Sequence, residues 1–247
     1  MTKDLIKTNG GALMNPDAKG FEGAQMERED LVFPRAALMQ SNSPEIVDNL
    51  MTPDGKDIKV GMVINSLTRE ILPDVFIPVF YFPTWVRFNP RDPKALGYDP
   101  AFGPGDVIWR SNDRNDPRVQ EEGKFGPNGE TPLATMFMNF FSYLPGVAMP
   151  VIVSFSKTSM KAGKRLLSLA RFSGGDIFAQ KYKLGVKKEQ NDKGTYYVFT
   201  VELAGKLAED DPLRIAAAEL WEEFHAKPIV VHEPEKAETE PFPGEES

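Results

Sequence analysis

The chain has 247 residues, of which 41% are hydrophobic and 26% are charged, an ordinary composition for a globular protein. It contains no cysteine and two histidines. This excludes disulfide scaffolds, cysteine-ligated metal sites and cysteine nucleophiles, and it disfavours histidine-dependent catalytic triads. The formal net charge of −7 would, by itself, argue against a nucleic-acid partner.

The charge is distributed unevenly along the chain. Residues 233–247 hold six glutamates and one lysine, a net charge of −5, so residues 1–232 carry −7 minus −5, or −2. Residues 151–200 hold ten lysines and arginines against three aspartates and glutamates, a net charge of +7. A basic segment therefore coexists with an acidic tail.

Composition also divides the chain into three parts. Residues 1–30, rich in glycine, alanine, asparagine and charge, predict a flexible arm, residues 31–230 predict one domain, and residues 231–247 predict a disordered acidic tail. The first residues have no apolar segment typical of a secretion signal, and the longest apolar run, Val75–Phe88, is interrupted by prolines and an arginine. We therefore expect a cytoplasmic protein.

In the first half of the chain, alternating apolar residues predict a strand over 58–64, and 74–88 is the most strand-prone segment. Pro78 and Pro83 remove backbone donors, which predicts an edge strand or a bulged one. Residues 89–132 are dominated by proline, glycine, aspartate and asparagine, which predicts a long irregular insert with one short strand at Val107–Arg110.

The second half predicts four more strands and two helices from apolar periodicity and from helix-start residues such as Asp211-Pro212. Asn191-Asp192-Lys193-Gly194 predicts the turn of a hairpin. The predicted elements are strands at 136–143 and 147–155, a helix at 157–171, strands at 177–186 and 195–203, and a helix from Asp211 to Pro228. Because these helices do not alternate with the strands, we expect a mainly β fold with helices, a small closed or partly open barrel carrying a long inserted loop region and a C-terminal helix.

Sequence motifs of common enzymes are absent. The chain has no phosphate-binding loop of Walker type, no G-x-S-x-G elbow, no H-E-x-x-H motif and no EF-hand loop. The insert carries five aspartates beside proline and asparagine, and turn formation is favoured over a magnesium site for them: Asp92, Asp99, Asp106, Asp113 and Asp116. We expect no enzymatic activity, no cofactor and no metal.

The positive signal is a set of basic and aromatic residues. Lysine and arginine bind the phosphates of single-stranded nucleic acid, while aromatic faces stack on its bases, at about 1–3 kcal/mol per base. Each residue also has a simpler interpretation, since basic helix faces are commonly solvated and strand aromatics commonly lie in the core. The candidate nucleic-acid-binding residues are Lys157, Lys161, Lys164, Arg165, Arg171, Lys181, Lys183, Lys187, Lys188, Tyr81, Trp85, Arg87, Tyr182, Tyr196 and Tyr197.

Several segments resemble a group of tailed-bacteriophage single-stranded DNA-binding proteins of replication and recombination modules. They are Phe33-Pro34-Arg35 through Gln40 with Ser43-Pro44-Glu45, Asn65-Ser66-Leu67-Thr68 with Glu70, Ser154 to Ser159 with Lys161 and Lys164, and Asn191 to Tyr197. The resemblance implies an OB-like barrel that binds single strands with little sequence preference, with 157–165 and 196–197 near the DNA.

The resemblance also implies that the acidic tail contacts other replication or recombination proteins, through Glu238, Glu240, Phe242, Glu245 and Glu246, and that the protein works in the host cytoplasm. The leading hypothesis is therefore a non-enzymatic phage protein that coats single-stranded DNA, with a possible homo-oligomeric form. The alternatives are a phage structural or assembly protein, a metal-dependent nuclease and an inhibitor that mimics DNA.

Overall fold

The computed structural model describes residues 31–127, 129–191 and 194–226. Within these ranges the chain forms eight strands and four α-helices. The strands are β1 (Ala36–Leu38), β2 (Val63–Asn65), β3 (Val75–Phe88), β4 (Val107–Ser111), β5 (Ala134–Tyr143), β6 (Val151–Ser156), β7 (Gln180–Asn191) and β8 (Gly194–Lys206). The helices are α1 (Pro44–Val47), α2 (Pro117–Glu122), α3 (Met160–Phe172) and α4 (Pro212–Phe224).

Six of the strands form one antiparallel sheet in the order β6-β5-β3-β7-β8, with β4 beside the C-terminal end of β3. The other two, β1 and β2, form a small antiparallel sheet. The long strand β3 pairs with β5 along most of its length. On its other side it pairs with β7 only at Val75–Phe76 and with β4 only at Trp85–Phe88.

The two prolines of β3 lie where the strand pairs with β5 on one edge and has no partner strand on the other. Pro78 and Pro83 both fall between the segment paired with β7 and the segment paired with β4. A proline has no backbone donor, so its cost in a sheet is small at a position bonded on one side only. The prediction of a bulged strand is confirmed, although β3 lies inside the sheet rather than at its edge.

A bulge at Val79 changes which residues of β3 face which side of the sheet. Pro78 pairs with Ser142 and Phe80 pairs with Phe141, so Val79 is the extra residue. Before the bulge Phe76 faces the first core, which contains Phe155 and Phe199, and Ile77 faces the second core, which contains Phe33 and Phe224. After it, Tyr81 faces the first core and Phe80 faces the second. The bulge therefore shifts the two-residue alternation partway along β3, and both faces of the strand lie against an apolar core.

One helix covers each side of the main sheet. Helix α3 packs on the first core, where its buried Leu166 lies among side chains that include Phe155, Phe199 and Val201. Helix α4 packs on the second core, where Phe224 contacts the rings of Phe33 and Phe141. The predicted start of α4 is confirmed, because Asp211 accepts a hydrogen bond from the backbone of Leu213 at 2.9 Å.

The mainly β architecture with helices is confirmed, but the sheets are not closed into a barrel. Strand β6 is joined to the N-terminal segment by an isolated bridge from Ile152 to Arg35. Strand β8, at the other end of the sheet, is hydrogen-bonded through its backbone to the side chains of Gln40 and Ser159. The segment that contains β1 thus reaches both ends of an open sheet without completing a continuous ladder.

The insert at 89–132 is ordered by side-chain hydrogen bonds to its own backbone. Asn89, which is 1% exposed, donates to the carbonyls of Asp99 and Phe102 and accepts from the amide of Asp99. All five predicted aspartates accept backbone amides within four residues, which confirms turn formation: Asp92, Asp99, Asp106, Asp113 and Asp116. The predicted strand at Val107–Arg110 is confirmed as β4.

The described part of the chain holds no helix that is long and apolar enough to span a membrane.

Candidate nucleic-acid interface

Helix α3 and the turn before it carry a row of exposed basic side chains. The row is called here the basic stripe and consists of Lys157, Lys161, Lys164, Arg165 and Arg171, all exposed. Residues spaced by three, four and seven share one face of an α-helix, and the opposite face of α3 is buried at Ala162, Leu166 and Ala170. Between Lys161 and Arg171 the stripe runs for about 15 Å along the helix axis.

No acidic side chain in the described ranges forms an ion pair with the basic stripe. Helix α3 contains no aspartate or glutamate, and no described carboxylate oxygen lies within 4.0 Å of a stripe nitrogen. Basic residues elsewhere do form ion pairs, for example Arg118 with Asp116 at 2.7 Å. Unpaired, exposed cations in a row are the feature that binds a phosphate backbone.

Two contacts fix the position of α3 on the sheet. Gly163 lies against Phe155, where an added Cβ would fall 2.8 Å from the Phe155 Cβ, so a glycine is needed for this close approach. The Ser159 hydroxyl accepts a hydrogen bond from the backbone amide of Phe199 at 3.1 Å. The start of the basic stripe is thereby held to the outer edge of β8.

Lys157 lies at the junction between β6 and α3 in a left-handed conformation, with a φ of 47°. Non-glycine residues rarely adopt this region, which costs roughly 1–2 kcal/mol for an L-residue. The conformation turns the chain from the strand into the helix and places the Lys157 side chain on the exposed surface. A strained basic residue at such a junction is consistent with a binding role.

The hairpin of β7 and β8 carries the second group of predicted basic residues. Two of these lysines form ion pairs with acidic side chains. Lys183 pairs with Asp74 at 3.3 Å and Lys187 pairs with Glu189 at 3.0 Å. Lys188 is exposed and Lys181 is half-buried. The hairpin therefore presents fewer unpaired cations than its sequence indicates.

Tyr196 lies on the hairpin beside Glu189, the hairpin residue on which the charge of Lys161 acts. Its hydroxyl group donates a hydrogen bond to the Glu189 carboxylate at 3.3 Å, and Glu189 lies opposite Tyr196 in the ladder. The ammonium group of Lys187 lowers the pKa of Glu189, and the charge of Lys161 on α3 acts in the same direction. Desolvation and the neighbouring carboxylate raise the pKa of Tyr196. The half-buried Tyr196 is thus bonded to the carboxylate that also binds Lys187 and on which the charge of Lys161 acts.

Tyr197 has a structural role beside its predicted binding role. The Gln40 side chain donates to its carbonyl and accepts from its amide, both at 2.9 Å. Its ring lies against Gly61, where an added Cβ would fall 2.9 Å from the Tyr197 Cε1 atom. Tyr196 is therefore the better stacking candidate of the two.

The other predicted aromatics lie away from the surface. Tyr81, Trp85 and Arg87 do share one face of β3, as their spacing indicates, but that face is covered. Tyr81 packs against the first core, whereas Trp85 and Arg87 lie under α2 and the insert. Trp85 is 4% exposed and contacts Val119 of α2, while Tyr81 is half-buried against Phe140. Tyr182 is fully buried, and burial raises its pKa to about 12. The candidate interface does not include Trp85 or Tyr182.

Arg87 is 5% exposed and holds the insert rather than a ligand. It donates to the carbonyls of Phe88 and Gly97 and forms an ion pair with Glu122 at 3.2 Å. Glu122 also accepts a hydrogen bond from the Trp109 indole at 2.9 Å. Arg87 is therefore not part of the exposed candidate interface, because these contacts are internal.

Three residues that support the candidate interface were not identified as such from sequence: Gln40, Ser159 and Glu189. The first two act through contacts distant in sequence, which no local pattern reveals. Glu189 had a local signal, since it is the one acid in the basic run Lys187-Lys188-Glu189. The predicted tail residues Glu238, Glu240, Phe242, Glu245 and Glu246 lie outside the described residues, as does the predicted arm at 1–30.

Among the described residues no group of three or more acidic or histidine side chains is arranged to hold a metal ion.

In comparisons with known proteins, residues 8–229 match the family model described as Pam3 phage gp34-like protein. No curated protein and no solved structure matches the chain. Because the family match covers most of the chain, the protein belongs to the Pam3 phage gp34-like family and is a phage protein, as its sequence predicts.

Proposed function

We propose that this protein binds single-stranded DNA without strong sequence preference, and without catalysing a reaction, during phage replication or recombination. The observation that carries the proposal is the basic stripe, an exposed row of five cations with no described carboxylate within ion-pairing distance. Such a row neutralises successive phosphates and releases their counterions, which gives affinity that does not depend on sequence.

The proposal places the phosphates along α3 and the bases toward the β7–β8 hairpin. Tyr196 is the candidate stacking residue, because it is hydrogen-bonded to Glu189, whose carboxylate also pairs with Lys187 and is affected by the charge of Lys161. Base stacking on an aromatic ring tolerates any base, since every base has a π-face. The stripe and Tyr196 together form the two-part surface that single-strand binding requires.

We further propose that the acidic tail at 233–247 recruits other replication or recombination proteins. Its support is the net charge of −5 over fifteen residues, which attracts basic partner surfaces.

A titration of the full-length protein with fluorescent oligo-dT and with a duplex of equal length tests the proposal. We would measure anisotropy at about 50 and about 200 mM salt, in EDTA. We expect tight, salt-sensitive binding of the single strand and weak binding of the duplex. After magnesium is added, the oligonucleotide stays intact. Failure to bind oligo-dT at low salt would overturn the proposal and favour a structural or assembly role, whereas cleavage would favour a nuclease.

A further inference from the structure

One acidic side chain lies within the proposed DNA-binding surface. Glu189 accepts a charge-assisted hydrogen bond from Lys187 at 3.0 Å and a hydrogen bond from the Tyr196 hydroxyl at 3.3 Å. Lys161 of α3 is near enough for its charge to favour the ionised carboxylate. The Glu189 side chain is 34% exposed, so incoming ligands can reach it. The Glu189 carboxylate therefore binds two of the residues proposed to contact DNA, Lys187 and Tyr196, and is affected by the charge of a third, Lys161.

The Glu189 carboxylate has the same chemistry toward these groups as a phosphate oxygen. Both are anions that accept hydrogen bonds from an ammonium group and from a phenol. A phosphate that binds Lys187 must therefore displace the carboxylate or tolerate its charge. The carboxylate also holds the Tyr196 hydroxyl group, which restrains the direction of the aromatic ring.

We propose that Glu189 is a positioning residue of the DNA-binding surface, which holds Lys187 and Tyr196 in place in the free protein and opposes a phosphate at the same point. This inference rests on the proposed function. It assigns two separable effects to one side chain. The negative charge lowers the affinity for every polyanion, while the hydrogen bond to Tyr196 favours ligands whose bases can stack.

Three substitutions separate the effects. Glu189→Gln removes the charge and keeps an oxygen that accepts from Tyr196, whereas Glu189→Ala removes both the charge and the acceptor. Tyr196→Phe keeps the ring and removes the hydroxyl group. Glu202→Gln is the matched control, because Glu202 is an exposed carboxylate on the same hairpin, opposite Lys183.

The measurement is the affinity of each full-length variant for oligo-dT and for an abasic oligonucleotide of equal length. Glu189→Gln should bind both ligands roughly fivefold more tightly at low salt, as expected when one unit charge a few ångströms away is removed. The salt dependence of its affinity should also steepen, because Lys187 can then neutralise one more phosphate, and this releases one more counterion from the DNA. Glu189→Ala and Tyr196→Phe should both reduce the preference for oligo-dT over the abasic strand.

The outcomes separate this inference from the proposed function. If the wild-type protein binds oligo-dT but Glu189→Gln gains no more affinity than Glu202→Gln, the effect assigned to the Glu189 charge is wrong and DNA binding stands. An unchanged preference for oligo-dT in Glu189→Ala and Tyr196→Phe would overturn the positioning effect. If neither the wild type nor Glu189→Gln binds any strand, DNA binding itself fails, and the inference with it.

Discussion

The side-chain amide of Gln40 forms two hydrogen bonds with the backbone of Tyr197, 157 residues later in the chain. It donates to the Tyr197 carbonyl and accepts from the Tyr197 amide, as a neighbouring strand would. This bonding satisfies two outward-facing groups of an edge strand. It also ties the N-terminal segment to the hairpin that carries Tyr196 and so helps to fix the position of the proposed DNA-binding surface.

Replacing Gln40 with alanine should therefore lower the free energy of unfolding by about 1–3 kcal/mol, because it leaves backbone groups of Tyr197 without partners. Gln40→Glu should also destabilise, since an ionised carboxylate cannot donate to the carbonyl. Urea denaturation followed by circular dichroism provides the measurement. The control is Gln190→Ala at an exposed position of β7, expected within about 0.5 kcal/mol of wild type. Equal effects of the two alanine variants would contradict the role of Gln40.

Arg87 should matter for stability and for the insert. Arg87→Met removes the cation that pairs with Glu122 and donates to Phe88 and Gly97, and should cost about 3 kcal/mol. Limited proteolysis should then cut the insert faster. Arg118→Met is the comparison, because the Arg118 side chain is exposed where it pairs with Asp116, and its loss should cost less than about 1 kcal/mol. An Arg87→Met protein as stable as Arg118→Met would contradict the assigned role.

Tyr182 should make stability depend on pH in the alkaline range. Burial raises its pKa to about 12, above the value of about 10 expected for an unfolded chain. The native state therefore holds the proton more tightly, so this contribution is fully present below about pH 10 and is lost as the pH rises toward about 12.

Urea unfolding at neutral pH and at about pH 11 provides the test, with Tyr182→Phe as the comparison. The variant loses the hydrogen bond to Gln180 and should be slightly less stable at neutral pH, but its stability should decrease less on the alkaline side. Parallel decreases in the two proteins would show that Tyr182 is not the group responsible.

Lys157 offers a substitution that separates binding from stability. Lys157→Gly relieves a left-handed backbone conformation and removes one cation of the basic stripe. We expect stability equal to or up to about 1 kcal/mol above that of wild type, since glycine adopts a positive φ without strain. Affinity for oligo-dT should decrease and its salt dependence should weaken. Unaltered affinity would remove Lys157 from the interface.

Much of the local structure follows from sequence pattern. The strand over 74–88, the helix after Ser156 and the helix after Asp211 are found within a few residues of their predicted bounds. Their apolar periodicity, caps and turn residues are local signals. The exposed basic face of α3 is equally predictable, because the spacing of its lysines matches the helical repeat.

What sequence did not reveal depends on contacts between distant segments. The short helix α2, whose Asp116-Pro117 start resembles that of α4, covers Trp85 and so decides that this aromatic lies inside. The extra residue Val79 shifts the alternation of β3 partway along the strand. The sheet is open rather than closed into a barrel, because the segment that contains β1 forms no continuous ladder with β6 or with β8. No local sequence pattern specifies this.

The central claim is that the basic stripe binds the phosphates of single-stranded DNA, and the salt dependence of oligo-dT affinity tests it most directly. The variant with Lys161, Lys164 and Arg165 all changed to alanine should bind more weakly, with a slope of log affinity against log salt flatter by about 2 if all three contact phosphates. The control with Lys59, Arg91 and Lys94 changed to alanine removes the same charge from exposed positions outside the stripe and should keep the wild-type slope. Equal slopes for the two triple variants would contradict the claim.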